Sequence, residues 1–360
     1  MLLASLLLSG TLTGCRTLTP SPSGFSGYVA LGDSLTAGMQ SVGLTAQNQR
    51  DSFPLVLSRL AGSPIHAPES LPPGCPPPFA QGITITTCVR ANPLTPASNF
   101  GVPGASLYDV GHTSYQTAPD LYKPLYGLIL GPEDTQLSAA LRARPRFITL
   151  WAGSNDVLGV TLRGRPERAT TPANFEKWYG ELLDNLAPTG ARIVLIEVPD
   201  ITTAPSLIPG SRLHVLGLGG ADCERSPNRV SFTVLYDRRI AKPVSCTAPY
   251  ALTPVEREAA QNTVNAYNTS IRALGKARGY PVFNATELLR EVTPFEYDPK
   301  APMPFGVDFS NDGVHPSSLG QARIARGLAE FINKQFGTTI ELPERLPNVA
   351  LAEAGKELSP

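Results

Sequence analysis

Tyr28-Val29-Ala30-Leu31-Gly32-Asp33-Ser34-Leu35 begins as an apolar run and breaks off at a glycine, an aspartate and a serine. The run has the length and composition of a strand buried on both faces of a parallel sheet. Gly32 permits a tight turn, and the residues after Ser34 can start a helix. That arrangement exposes the Ser34 hydroxyl at the carboxyl end of a sheet, where open α/β folds bind their ligands. A serine there becomes a nucleophile only with a base in hydrogen-bond reach and donors for the oxyanion.

Strand–helix alternation continues outward from this point. Further strands are expected at Phe147–Trp151, Ile193–Val198 and Pro281–Phe283, with a short one before Gly101. Thr171-Pro172 opens a helix with an N-cap and a proline at its first position; its apolar face is Phe175, Trp178, Tyr179, Leu182 and Leu186. Thr253-Pro254-Val255-Glu256 reads as a capping box ahead of Ala260, Val264, Tyr267, Ile271 and Leu274. The last helix runs from about Ser317 to Gly337, with Ile324, Leu328, Phe331 and Ile332 inward. The pattern predicts a parallel sheet with helices on both faces.

Two loop-rich stretches, about 63–97 and 201–250, interrupt the alternation. The first follows a short helix at Phe53–Leu60, and the second carries an expected hairpin around Val230–Leu235. Both read as insertions above the sheet of one domain spanning 27–337, followed by a loose tail at 338–360.

The 360 residues are 42% hydrophobic and 17% charged, enough for a sizeable core. Lys plus Arg equals Asp plus Glu at 30 each, a balance that points away from nucleic acid as a partner.

Met1 to Leu8 is an apolar segment too short to span a bilayer. It leads to Leu12-Thr13-Gly14-Cys15, which resembles the lipobox of bacterial lipoproteins. The resemblance implies a signal peptide at 1–15, acylation of Cys15, a tether at 16–26 and attachment to a membrane of the bacterial cell envelope. No Lys or Arg precedes the apolar segment, which departs from the pattern; the true start then lies upstream or the signal is weak. The alternative is a plain secretory signal with an incidental cysteine. Four cysteines remain, in two sequence-local pairs. Export would make Cys75–Cys88 and Cys223–Cys246 disulfides by proximity, although four cysteines allow three connectivities. No Cys-x-x-Cys spacing supports zinc.

Four short motifs follow one another along the chain: Gly32-Asp33-Ser34-Leu35, Asn99-Phe100-Gly101-Val102-Pro103-Gly104, Gly153-Ser154-Asn155-Asp156 and Asp312-Gly313-Val314-His315-Pro316. With these motifs in this order, the chain resembles the GDSL lipase/esterase family, the SGNH hydrolases, from Tyr28 to Phe336. Val198-Pro199-Asp200 and Tyr267-Asn268 add to the likeness. The resemblance implies a flavodoxin-like three-layer α/β/α sandwich with a central parallel sheet, and hydrolysis of small-molecule or lipid esters without metal or organic cofactor.

On that reading His315 takes the Ser34 proton and returns it to the leaving alkoxide, while Asp312, three residues earlier, orients the imidazole. The oxyanion donors match the backbone N–H groups of Ser34 and Gly104 and the Asn155 amide. Taken singly, each motif is also an ordinary feature: Ser34 a helix N-cap, Asn155 an Asx-turn residue, the glycines plain turns, Asp312 and His315 an exposed loop. Their co-occurrence in this order, three at or just beyond predicted strand ends and the fourth immediately before a helix, favours the site. Asp33 and Asp156 are expected to accept backbone N–H bonds and fix loops rather than bind metal. His66, His112 and His214 are expected to be structural or solvated. Val102, Val157 and Leu158 line an acyl pocket or belong to the core, and the second insertion is expected to shape substrate access. Acyl transfer to an alcohol or sugar uses the same groups, and a non-catalytic surface binding protein on this fold is the alternative from another class.

Overall fold

A computed structural model describes residues 25–79, 88–285 and 297–342. Its strands are β1 (Tyr28–Gly32), β2 (Phe147–Trp151), β3 (Arg192–Ile196), β4 (Leu207–Pro209), β5 (Arg229–Ser231), β6 (Ala251–Leu252) and β7 (Val282–Phe283). β1, β2, β3 and β7 form a parallel sheet in that order, with Tyr28 opposite Phe147, Ile148 opposite Ile193 and Leu195 opposite Val282. The strand expected before Gly101 is reduced to a single parallel bridge, Ala30 to Asn99. Backbone bonds from Ala30 N to Ser98 O, Phe100 N to Ala30 O and Val102 N to Gly32 O still lay this segment along the free edge of β1. Counting it, the spatial order is 2-1-3-4-5, that of the flavodoxin-like doubly wound sheet, whose switch point lies between β1 and β2.

Alternation along the strands separates two cores. Leu31, Ile148, Leu150, Ile193 and Leu195 face one layer, which includes Phe175, Tyr179, Val264 and Tyr267 from the helices Pro172–Leu186 and Pro254–Arg278. Ala30, Phe147, Trp151, Val194 and Ile196 face the other, covered by the helices Phe53–Leu60 and Ser318–Phe336. Each sheet face is therefore buried, which is why β1 and β2 are buried at every position and mainly apolar, the polar Thr149 being paired with the Tyr28 hydroxyl at 2.8 Å. The local start signals act as expected: Thr171, Thr253 and Ser317 cap their helices, and Glu256 completes the capping box through the Thr253 N–H.

Three further features differ from the sequence reading. Val230–Leu235 is no hairpin: β5 is the middle strand of a small antiparallel sheet with β4 and β6, and Ser231 then caps a helical turn, Phe232–Tyr236. The partners of β5 are about twenty residues away on either side, out of range of a turn signal. Phe25, assigned to the tether, is buried and stacks on Phe147. Ile340, assigned to the loose tail, is buried too, its N–H and C=O held by the Asn333 amide. The signal residues, Cys15 and most of the tether and tail lie outside the described residues.

Both cysteine pairs are joined as expected from proximity: Cys75–Cys88 and Cys223–Cys246, with Cα separations of 5.4 and 5.1 Å. The second belongs to its own small core with Ile208, Leu213, Val230 and Phe305. Among the described residues no helix is long and apolar enough to cross a membrane.

Candidate active site

The site assembles where β1 and β2 end. Asp33 caps the short helix Ser34–Ala37, its Oδ1 accepting the Leu35 N–H at 2.9 Å. Ser34 is buried at the start of that helix, with its Oγ 2.9 Å from His315 Nε2. His315 Nδ1 lies 2.7 Å from Asp312 Oδ2. The other carboxylate oxygen, Oδ1, accepts the N–H groups of Val314 and His315 at 2.8 and 2.9 Å. Asp312 and His315 thus form a self-closed turn, and the final helix starts immediately after it. Gly313 C=O accepts the Ser206 N–H at 2.8 Å, which ties this turn to the start of the second insertion.

The Asn99–Gly104 motif packs against the turn after β1, which carries Ser34. Gly101 sits so close to it that a Cβ would meet Thr36 Cβ at 2.8 Å and Asp33 O at 2.9 Å. Asn99 holds the approach by donating to Thr36 O at 2.7 Å and accepting the Gly101 N–H at 3.1 Å. Gly104 has φ +83°, a conformation that favours glycine, and the Tyr122 ring lies against it. Asn155, half-buried, donates from Nδ2 to Ala105 O at 2.9 Å and lines the same pocket as Ser34.

That pocket is small, about 60 Å³, and mainly apolar, with Leu35, Leu158, Ile201, Ala204, Phe309 and Val314 in its walls. Leu158 lines it, whereas Val102 and Val157 are fully buried in the core. The start of the second insertion contributes Ile201, Thr203 and Ala204; the Cys223–Cys246 bridge belongs to the separate small core.

Charge is distributed unevenly. Burial alone would raise Asp312, but the His315 charge and the hydrogen bonds from His315 and Val314 bring it down to about 2. Burial works against a charged His315, yet the Asp312 carboxylate, with Asp33 behind it, raises the ring above its ordinary value. Asp33 and Asp156 are both pushed up to about 6 by burial. Each accepts a backbone N–H, Asp33 from Leu35 and Asp156 from Leu107 at 2.7 Å, so both brace loops. Among the described residues no group of three or more His, Cys, Asp or Glu could hold a metal ion. His66 and His112 are exposed, the latter stacked on Tyr108, and His214 bonds Gly220 O.

Several supporting groups escaped the sequence reading. Gln136 clamps both the N–H and the C=O of Gly32, at 3.0 and 2.9 Å, 104 residues away. Gln321 joins Phe53 N to Leu35 O. Asn268, whose neighbourhood the sequence did single out, does the same for Val198 at 2.8 and 2.9 Å. The only local hint of Gln136 and Gln321 is a long polar side chain in a helix's first turn; what each one holds is set by the fold.

The sequence model of the family described as GDSL-like Lipase/Acylhydrolase matches residues 28–328. No relative was found among curated proteins. Similar solved structures include LAE5, an α/β hydrolase enzyme from the metagenome of Lake Arreo, Spain, at 15% identity, with 86% of this chain and 94% of that chain covered and a TM-score of 0.40. The acetyl xylan esterase AlAXEase is 14% identical over 85% of this chain and 99% of that one, TM-score 0.38. A lipase/acylhydrolase from Enterococcus faecalis is 15% identical over 88% and 99%, TM-score 0.39.

Proposed function

Because the chain belongs to the GDSL-like lipase/acylhydrolase family, and is thus a carboxylic ester hydrolase, we propose that it works through an acyl-enzyme on Ser34. Ser34 Oγ attacks the ester carbonyl while His315 Nε2 takes its proton. The oxyanion that forms is met by the backbone N–H groups of Ser34 and Gly104 and by the Asn155 amide. Collapse breaks the bond to the alcohol, which leaves with the proton from His315. Water then attacks the acyl-enzyme, again losing its proton to His315, and the acid departs from a regenerated Ser34. Asp312 holds the ring with Nε2 toward Ser34 and stabilises the imidazolium.

The observation that supports this most is the continuous relay Ser34 Oγ–His315 Nε2–His315 Nδ1–Asp312 Oδ2, with gaps of 2.9 and 2.7 Å. The small, mainly apolar pocket beside Ser34 supports a short acyl group. Two disulfides support work outside the cytoplasm. The lipobox-like residues support attachment of the exported domain to the envelope through Cys15. The direct test is labelling by a fluorophosphonate. Covalent modification at Ser34, abolished in Ser34→Ala together with hydrolysis of p-nitrophenyl acetate, is expected. Full activity in Ser34→Ala would sink the assignment.

A further inference from the structure

Resting on that reading of Asp312, the geometry points to the backbone N–H of Val42 as a positioning group for the acid, on a turn braced by the disulfide-closed segment Cys75–Phe79. Gln40 and Gly43 exchange both backbone bonds, at 2.9 and 2.8 Å, so Ser41 and Val42 are the two central residues of a tight hairpin turn. Both have positive φ, 51° and 59°. A turn of this kind takes Asn-Gly by preference. A β-branched residue in the left-handed region is an outlier, and such strain persists where the surroundings over-determine it.

The surroundings do so from two sides. Toward the site, Val42 N donates to Asp312 Oδ2 at 2.8 Å, Ser41 N to Ser310 Oγ at 2.9 Å, and Asn311 N to Ser41 Oγ at 3.3 Å. Behind, Cys75 N bonds Leu44 O, Leu44 N bonds Pro76 O, and Phe79 N bonds Ser41 O. Pro78 lies so close that a Cβ on Gly43 would meet its nitrogen at 2.5 Å. Cys75 is in turn linked to Cys88.

The consequence is chemical. Asp312 Oδ2 is shared between His315 Nδ1 and Val42 N. The second donor fixes the carboxylate and takes up part of its charge. Less of that charge then reaches the imidazolium, whose other charged neighbour is Asp33. Val42 N–H therefore sets both where Asp312 stands and how strongly it holds a proton on His315.

The test uses the full chain with the Ser41–Val42 peptide replaced by an ester, 2-hydroxy-3-methylbutanoic acid standing in for Val42, which deletes that N–H. Fluorophosphonate labelling of Ser34 counts competent sites. Per labelled site, kcat on p-nitrophenyl acetate is expected to fall about tenfold, the scale of a hydrogen bond to a charged group, with KM unchanged. The acidic limb of the pH profile should move to higher pH, because the unshared Oδ2 charge holds the imidazolium more firmly. Cys75→Ser/Cys88→Ser is expected to move both readouts the same way, by less. An ester variant with wild-type kcat and limb overturns the positioning role, and a cysteine variant with both unchanged overturns the bracing. A chain whose Ser34 does not label, although folded, removes the underlying site reading instead.

Discussion

Ser34 Oγ and His315 Nε2 are 2.9 Å apart although 281 residues separate them along the chain. The contact is brought about by two turns, one after the first strand and one before the final helix, which the fold packs together at the sheet's switch point.

If Asn155 is an oxyanion donor, Asn155→Ala should lower kcat by roughly a hundredfold or more while KM changes little. Steady-state kinetics on p-nitrophenyl acetate check this. Because Nδ2 also donates to Ala105 O, thermal unfolding of the variant should be compared with wild type. A kcat loss below about fivefold in a stably folded variant would remove Asn155 from the oxyanion site.

His315 must be neutral to accept the Ser34 proton. Its affinity for a proton is raised by Asp312 and Asp33, so kcat/KM should fall as pH drops through a value above the ordinary ~6.5. In Asp312→Asn that limb should move to lower pH, and kcat at neutral pH should drop by about 10³-fold or more. A limb that stays in place after Asp312→Asn would mean that another group controls it.

The small pocket predicts acyl-chain selectivity. Across p-nitrophenyl esters, kcat/KM should peak between acetyl and butyryl and fall at octanoyl and beyond. Phe309→Ala or Leu158→Ala should open the wall and shift the optimum toward longer chains, each removed apolar group being worth about 1–3 kcal/mol of discrimination. A profile still rising at decanoyl would contradict the pocket's role.

Buried Asp156 titrates at about 6 when folded, above its ordinary ~3.9. The folded state therefore keeps a proton that the unfolded chain releases, and the stability from this group is present near pH 4 and lost as pH rises through 6. Asp156→Asn keeps an oxygen for the Leu107 N–H and removes the charge. It should raise unfolding free energy by about 3 kcal/mol at pH 8, with the gain vanishing near pH 4. Urea melts at both pH values test this; an equal gain at each would show that the charge is not the cause. Asp312 has the opposite sign. Lowered to about 2, it contributes stability above the ordinary carboxylate range that is lost as pH falls toward 2.

Features encoded among neighbouring residues are legible along the chain. The apolar runs at Tyr28–Leu31 and Phe147–Trp151 are strands, and Thr171, Thr253 and Ser317 begin helices, because periodicity and capping act within a few residues. Asp312 and His315 were legible as a pair because one turn of chain joins them. Which distant groups meet depends on the closed fold. It reduced the segment before Gly101 to a bridge beside β1 and gave β5 partners from beyond any turn. It also directed Gln136 onto Gly32, and it placed the strained Val42 N–H on Asp312. These contacts join segments far apart in the chain, and their hydrogen bonds exist only once the cores on both sheet faces have closed around them.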